Sequence, residues 1–445
     1  MATLIDKRPA TIDVASLVEP DRTHRSIYTD PAIFDLEMDR IWHRTWIYVG
    51  HESQVKEPGE YYATTIGRQP VLLTRSSDGK FYVLHNRCAH KGALLVGDHC
   101  GKAKELRCSY HGWRFDFDGK LLGIPLEHGY DDTRFDRTGP EADMPRVRAE
   151  SYRGFVFASL NPDVPDLKSW LGGVASSIDN MVDRAPEGAL EVAGGVMRYE
   201  HDSNWKFFIE NLNDMMHPMV THQSSSLTAR VVAKKELPPD APVPSAIEII
   251  APFTESYSFF DDMGVHAFDY GHGYSGGKTS IHAKYSDIPE YNRRMDAAYG
   301  TERVAEIMKV NRHNTIFYPS ATIKGAVQTM RVVRPVAVDK TIIESWTFRL
   351  KGAPDEMLQR SILYCNLINS SANLVGPDDQ ENYRRQQVGL HSTGEDWVTM
   401  HRDFGKDEEI EPGHFYARGS SDISFRNQYR AWKKYMTEGA RQDVR

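Results

Sequence analysis

The chain has 445 residues, 26% charged and 40% hydrophobic, with 33 glycines and 23 prolines, a balance that excludes coiled-coil, collagen-like and disordered classes. At about 100–200 residues per domain, the length predicts two or three domains. Its 54 basic and 62 acidic residues leave a net charge of −8, so neither nucleic acid nor an anionic membrane is expected as a partner. The opening stretch MATLIDKRPATIDVASLVEPDR has no apolar signal core, and no segment approaches the ~18 apolar residues of a membrane span. Four cysteines are too few for a disulfide framework, so a reducing cytoplasm is the expected compartment.

Residues 1–28 are polar and irregular. Asp30-Pro31 predicts a helix start, followed by an apolar stripe of Ile33, Leu36, Ile41 and Trp42. From about 45 to 160, short alternating runs and the turn pairs Asp78-Gly79 and Asp118-Gly119 predict a small antiparallel β-domain. Residues 165–185 read as a short helix and Asn204–Met216 as a longer one. After a Pro-rich loop at 237–244, the runs AIEIIAPF and IIESWTFRL read as strands, and 287–310 and 355–375 as helices. The tail Ser424–Met436 places Phe425, Tyr429, Trp432 and Tyr435 at helical spacing. The expected class is α+β, a small β-domain set within a larger mixed one.

Cys88-Ala-His90 is followed, after seventeen residues, by Cys108-Ser-Tyr-His111. Each pair sits where a short run gives way to a loop, so two hairpin tips can each present two ligands. Two thiolates and two imidazoles suit one tetrahedral zinc, or a [2Fe–2S] cluster with both cysteines on one iron and both histidines on the other. A zinc finger more often pairs Cys with Cys and His with His locally, so the spacing favours iron–sulfur. Cys100 and Cys365 have no such pattern and read as structural.

A second set lies in NWKFFIENLNDMMHPMVTH. His217 and His222 are five apart, about 140° on a continuous helix. Pro218 disfavours helical geometry at His217 and is expected to break the helix there, bringing His222 back toward it. Asp214, three residues before His217, is expected on the same helical face, hydrogen-bonding the imidazole. Two histidines and one carboxylate make the facial triad of non-haem Fe(II); Asp378, Asp379 and Glu381 in NLVGPDDQENYRRQ are the candidates.

Cys88, His90 and Gly92, with Tyr110-His111-Gly112-Trp113, resemble the Rieske ferredoxin domain of ring-hydroxylating oxygenases, with Lys91 and Ser109 where that family often has Arg and Pro. The run Glu210-Asn211…Asp214…His217…His222, the late Asp378-Asp379 and the final RNQYRAWKKYM resemble the family's catalytic domain, so the likeness spans about residues 25–440. It implies a Rieske [2Fe–2S] domain (45–160) inserted into a larger helix-grip (START-like) catalytic domain (161–445) of antiparallel sheet and helices, with 1–44 packing on the latter. It implies Cys88, His90, Cys108 and His111 as cluster ligands. His217, His222 and Asp379, rather than Asp378, would hold a mononuclear Fe(II). Asp214 would be the carboxylate bridging to the Rieske histidine of a neighbouring subunit. Met216 stands where many relatives carry Tyr, and only two residues separate Asn211 from Asp214, which leaves Asn211 outside the expected functional set.

The resemblance also implies electrons from NAD(P)H through a separate reductase, with or without a ferredoxin. The chain shows no G-x-G-x-x-G in a β-α-β setting. The family is usually a trimer, with or without a small β subunit (α3 or α3β3). The expected activity is dihydroxylation or monohydroxylation, with O2, of an aromatic compound or aromatic acid. The alternatives are O- or N-demethylation by the same irons and a zinc-stabilised, non-catalytic ligand-binding protein. Met215, Met216 and Met219 could wall the pocket but at helical spacing read more readily as core. FYPSATIKGAVQTM and FDYGHGYSGGK could complete it. His266, His272 and His282 read as ordinary loop histidines. Arg230, Arg331 and Arg334 are candidates for a substrate carboxylate, with a structural role the stronger reading for each.

Overall fold

The Asp30-Pro31 pair starts a helix: Pro31 opens Pro31–Glu37, and the Asp30 side chain accepts a 2.8 Å hydrogen bond from the Ala32 N–H. The computed structural model describes residues 13–277, 280–281 and 287–442, so His282 lies outside the described residues. A π-helical turn, Met38–Trp42, then leads into the first strand of a seven-stranded antiparallel sheet. In spatial order its strands are Ile47–His51, Phe155–Ser159, Arg146–Tyr152, Phe81–His85, Gln69–Arg75, Glu60–Ile66 and Cys100–Lys102. Asp78-Gly79 and Asp118-Gly119 both make hairpin turns, with φ +78° and +92° at the glycines. That left-handed conformation is why glycine is needed there.

A nine-stranded antiparallel sheet forms the second half. It runs Leu190–His201, Lys340–Leu350, Thr329–Ala337, Ala321–Lys324, Asn311–Phe317, Gly273–Gly277, Val265–Phe268, His414–Ala417 and Glu408–Glu411. The helices Trp205–Leu212, Asp355–Ile368, Val375–Gly389 and Ile423–Gln442 pack on this sheet and on each other. The two sheets share one hydrophobic core. Tyr48 meets Trp346 at 5.6 Å and Phe155 meets Phe348 at 5.4 Å between ring centroids. Buried Arg334 ties the sheets together: its Nη1 donates to the Tyr48 and Thr65 carbonyls, both at 3.1 Å, while Nε and Nη2 donate to Glu344. Glu344 also accepts from Arg198, which reaches Tyr62 Oη at 3.2 Å. Among the described residues, no helix is long and apolar enough to cross a membrane.

Five sequence expectations change. AIEIIAPF is not a strand but the helix Ser245–Ile250 and a 3-10 turn, Ala251–Thr254. Ile249 and Ile250 are buried in a cluster with Tyr364, Ile368 and Val375, so tertiary packing overrides the β-branched pattern. The 165–185 helix is broken at Gly172 (φ +50°) and the 287–310 helix at Gly300 (φ +79°). Asn204–Met216 is helical only over Trp205–Leu212. Cys365 is buried, but Cys100 is exposed on an edge strand.

Candidate metal centres

Asn204 caps the Trp205–Leu212 helix by accepting from the Lys206 N–H, and Trp205, Phe208, Ile209 and Leu212 bury its core face. Beyond Leu212 the chain turns. Asp214 is therefore not on a helical face shared with His217 but in a bend, where its Oδ1 accepts from the Met216 N–H at 2.7 Å. Pro218 does not displace His217 from helical dihedrals either: His217 has φ −75°, ψ −33° and caps the short helix Pro218–Thr221. Proline at the first helical position starts a helix rather than ending one. His222, at φ −101°, ψ 14°, closes that turn and precedes Gln223–Glu236. The two kinks bring the imidazole centroids to 5.5 Å, with the rings at 79°.

His217, His222 and Asp379 each offer a ligand atom within 4.8 Å of the others. The two Nε2 atoms face one carboxylate oxygen, Asp379 Oδ1, at 3.7 and 3.4 Å. Each Nδ1 faces a different carboxylate: His217 faces Asp214 Oδ2 at 3.7 Å, and His222 faces Asp378 Oδ2 at 3.3 Å. Burial pushes the His217 imidazole down, but the Asp214 and Asp379 carboxylates outweigh it and hold its pKa above the ordinary value. Two imidazoles and one carboxylate with open space on one side are the donor set of a non-haem iron, and carboxylates behind the Nδ1 atoms fix ring orientation.

Two participants escaped the sequence reading. Asn211 Nδ2 lies 3.2 Å from His217 Nε2 and 3.1 Å from Asp379 Oδ1, so its carboxamide is at the centre of the group rather than outside it. Asp378 is the partner of His222 and not a spare copy of Asp379; the helical offset of one residue points the two carboxylates differently. A cavity of about 550 Å³ lies against Asp214, His217 and Asp379, walled by Tyr28, Tyr383 and Met400. Glu210 on its wall accepts from Tyr429, and burial pushes its carboxyl up to about 7.

In the seven-stranded half, Cys88 and Cys108 are buried free thiols at the tips of two matching loops. In each, the Cys N–H bonds five residues on, to Ala93 O and Trp113 O, both at 2.8 Å. In each, a glycine four residues on, Gly92 or Gly112, has φ +73° and donates back to the Cys carbonyl at 3.0 Å. A β-carbon is strained at that dihedral. The His90 and His111 rings are 4.6 Å apart, and His90 stacks on Trp113 at 4.9 Å and 3°. His111 is exposed and His90 half-buried. The backbone N–H groups of His90 and Lys91 point at the Cys88 sulfur, and those of Tyr110 and His111 at Cys108. His90 Nδ1 is buried with no hydrogen-bond partner among the described residues. Two thiolates cradled by N–H donors and an orphaned imidazole nitrogen fit a His-ligated [2Fe–2S] cluster.

The remaining candidates are structural. Met215 and Met219 are buried with Phe260, Met263 and Val265. Arg230 donates to the Ala251 carbonyl and Glu255. Arg334 belongs to the joint between the sheets. His272 bonds the Trp170 carbonyl and the Tyr318 N–H, and His266 contacts His414 at 2.9 Å. Arg331 Nη2 donates to the Asn314 carboxamide oxygen at 3.1 Å.

Comparison with known proteins matches residues 45–147 to the Rieske [2Fe-2S] domain and residues 190–438 to the ring hydroxylating alpha subunit catalytic domain. The chain is 32% identical to the toluate 1,2-dioxygenase subunit alpha of Pseudomonas putida, over 97% of this chain and 95% of that one. It is 31% identical to the 2-halobenzoate 1,2-dioxygenase large subunit of Burkholderia cepacia, over 86% of this chain and 80% of that one. Its fold resembles naphthalene 1,2-dioxygenase with indole bound, with a TM-score of 0.78, 23% identity, and 94% and 93% of the two chains covered. Matched in both halves, the chain belongs to the Rieske ring-hydroxylating oxygenase alpha subunits, oxidoreductases that carry a [2Fe–2S] cluster and a mononuclear iron.

Proposed function

We propose that this alpha subunit dihydroxylates an aromatic carboxylic acid, with Cys88, His90, Cys108 and His111 holding the cluster and His217, His222 and Asp379 holding the iron. The observation that carries the site assignment is the convergence of both Nε2 atoms on Asp379 Oδ1. The substrate class rests on the relatives, since toluate and 2-halobenzoate are both benzoic acids. When bound, the two groups supply one-electron transfer and O2 activation. The protein's own part is positioning. Asp214 and Asp378 orient the two imidazoles through their Nδ1 atoms. Asn211 donates to Asp379 and fixes the carboxylate. Trp113, packed flat on His90, holds that ring in place.

Electrons arrive from NAD(P)H by way of a partner reductase, with or without a ferredoxin. As the family resemblance implies, the cluster of one subunit serves the iron of the next, with Asp214 as the bridge in a trimer, α3 or α3β3; exposed His111 and the cavity at Asp214 are compatible with that route. The division 1–44, 45–160 and 161–445 describes the working units, and the compartment is the cytoplasm. The test is turnover of the iron-loaded protein with a reconstituted reductase on benzoate, the toluates, toluene and methoxybenzoates. A cis-diol product from benzoate or a toluate is the expected outcome. Formaldehyde from methoxybenzoates alone would make it a demethylase, and a colourless zinc protein without acid-labile sulfide would refute the site assignment.

A further inference from the structure

The nine-stranded sheet carries two buried cations with no carboxylate within ion-pairing distance among the described residues. Ala321–Lys324 and Thr329–Ala337 pair so that Thr322 faces Arg331 and Lys324 faces Thr329. Side chains alternate along a strand, so Thr322, Lys324, Thr329 and Arg331 share one face. Lys324 is 4% exposed and Arg331 9%. Lys324 Nζ donates to Tyr364 Oη at 2.8 Å. Arg331 Nη2 donates to Asn314 Oδ1 at 3.1 Å, and its guanidinium lies 5.1 Å from the Phe208 ring centroid. Among the described residues, no carboxylate comes within the 4.0 Å of an ion pair with either cation. The undescribed internal residues, 278–279 and 282–286, contain no Asp or Glu.

Three other buried cations are ion-paired, Lys206 with Glu37, Arg334 with Glu344 and Arg426 with Asp407, while buried Arg184 is held by the Asn180 carboxamide and the Val310 carbonyl. A buried charge without a partner is expensive, and burial together with the Arg331 charge drives the Lys324 ammonium well below its ordinary pKa. On the same face, Thr322 Oγ1 is buried with no hydrogen-bond partner among the described residues. The cluster is connected to the iron-ligand group through one helix. Phe208 belongs to the helix that leads into Asp214, Asn314 donates to the Leu212 carbonyl at the end of that helix, and the Asp379 carboxylate is near enough to favour the Lys324 charge.

We propose that Lys324 and Arg331 bind the carboxylate of the aromatic acid substrate and turn its ring toward His217, His222 and Asp379. The inference rests on the aromatic-acid reading above and deepens it. The substrate supplies the counter-charge the protein withholds, Thr322 offers a further hydroxyl donor, and a neutral ring of the same shape leaves both cations unpaired. Discrimination then comes from the cost of an unmatched polar site rather than from shape.

The test compares benzoate with benzamide in holoenzyme carrying wild-type sequence, Lys324→Met, Lys324→Gln, Arg331→Gln or Arg331→Lys. The benzoate-to-benzamide ratio of kcat/KM should fall at least about 30-fold in the charge-removing variants, the scale for losing one partner of a desolvated charge pair. Most of the fall should appear in KM, and the benzoate Kd by calorimetry should rise about as much. Arg331→Lys should recover part of the ratio. Lys324→Met should keep or raise the melting temperature, because it removes an unpaired buried ammonium, whereas a purely structural lysine would lower it. An unchanged ratio in Lys324→Met and Arg331→Gln, with wild type active on benzoate, overturns this proposal alone. Wild-type enzyme that oxidises toluene but neither binds nor oxidises benzoate or the toluates overturns the aromatic-acid reading and this proposal with it.

Discussion

Replacing Lys206 with methionine isolates a charge at the best-buried ionic site in the molecule. Lys206 Nζ lies 2.6 Å from Glu37 Oε1, and both residues are almost completely buried. Glu37 also accepts from Trp432 Nε1 at 2.7 Å and from Trp205 Nε1 at 2.9 Å. It thereby joins the N-terminal segment to two helices of the catalytic half. Burial pushes the Lys206 ammonium down, and the Glu37 carboxylate opposes that. Lys206→Met leaves a carboxylate in the core with two indole donors and no counter-charge, a change expected to cost about 3–5 kcal/mol. At about 2–4 °C per kcal/mol for cooperative units of a couple of hundred residues, the melting temperature should fall by roughly 6–20 °C. The double variant Glu37→Gln/Lys206→Met removes both charges while keeping an acceptor for one indole, and should recover more than half of that loss. Thermal unfolding followed by near-ultraviolet circular dichroism measures both. A fall of less than about 2 °C in Lys206→Met, or a double variant no better than the single, would refute the argument.

Asp214→Ala should keep the cluster and most of the iron by metal analysis yet lower coupled turnover about 100-fold, since it removes the proposed bridge between subunits without removing an iron ligand. Asp379→Ala should lose the mononuclear iron and keep the cluster, whereas Asp378→Asn should retain iron with an affinity weakened about 10–100-fold; equal losses would remove the distinction between the two carboxylates. Cys108→Ser should abolish the visible absorbance of the cluster while leaving iron at the other centre, read by sulfide and iron content. Acid should destabilise the fold steeply. Burial holds His51 at about 4 and His201 and His272 at about 3. Folded pKa values below the ordinary 6.5 mean that the unfolded chain takes up the protons, so stability present at pH 7 is lost as pH falls from about 6.5 toward 4. His201→Phe, set among Tyr199, Phe208 and Tyr383, should make that slope shallower in melting-temperature profiles while the His51, His266 and His272 shares remain.

The cluster motif was legible because ligand identity and loop geometry are local: a Cys, a His and a positive-φ glycine fall within five residues, twice. The Asp30 cap was legible for the same reason. The chain reversal after Leu212 was not. The apolar spacing of Ile209, Leu212, Met215 and Met216 carries a helical pattern past Asn213 and Asp214, where the helix stops, so Asp214 was expected on the wrong kind of surface. Asn211 and Asp378 act across sequence separations of 168 and 156 residues, and no local pattern reports such a meeting. The short apolar run AIEIIAPF fits strand and helix alike until its burial partners are known. The segment FYPSATIKGAVQTM was expected to complete a pocket, but only the strand register puts its lysine beside Arg331.

The buried guanidinium of Arg334 spans both sheets with bonds at each end. The cysteine loops and the His217, His222 and Asp379 group of one chain are thereby tied together through a single buried side chain. A variant that loosened Arg334 would let the Cys88 and Cys108 loops shift against the His217, His222 and Asp379 group, before it touched any of those side chains.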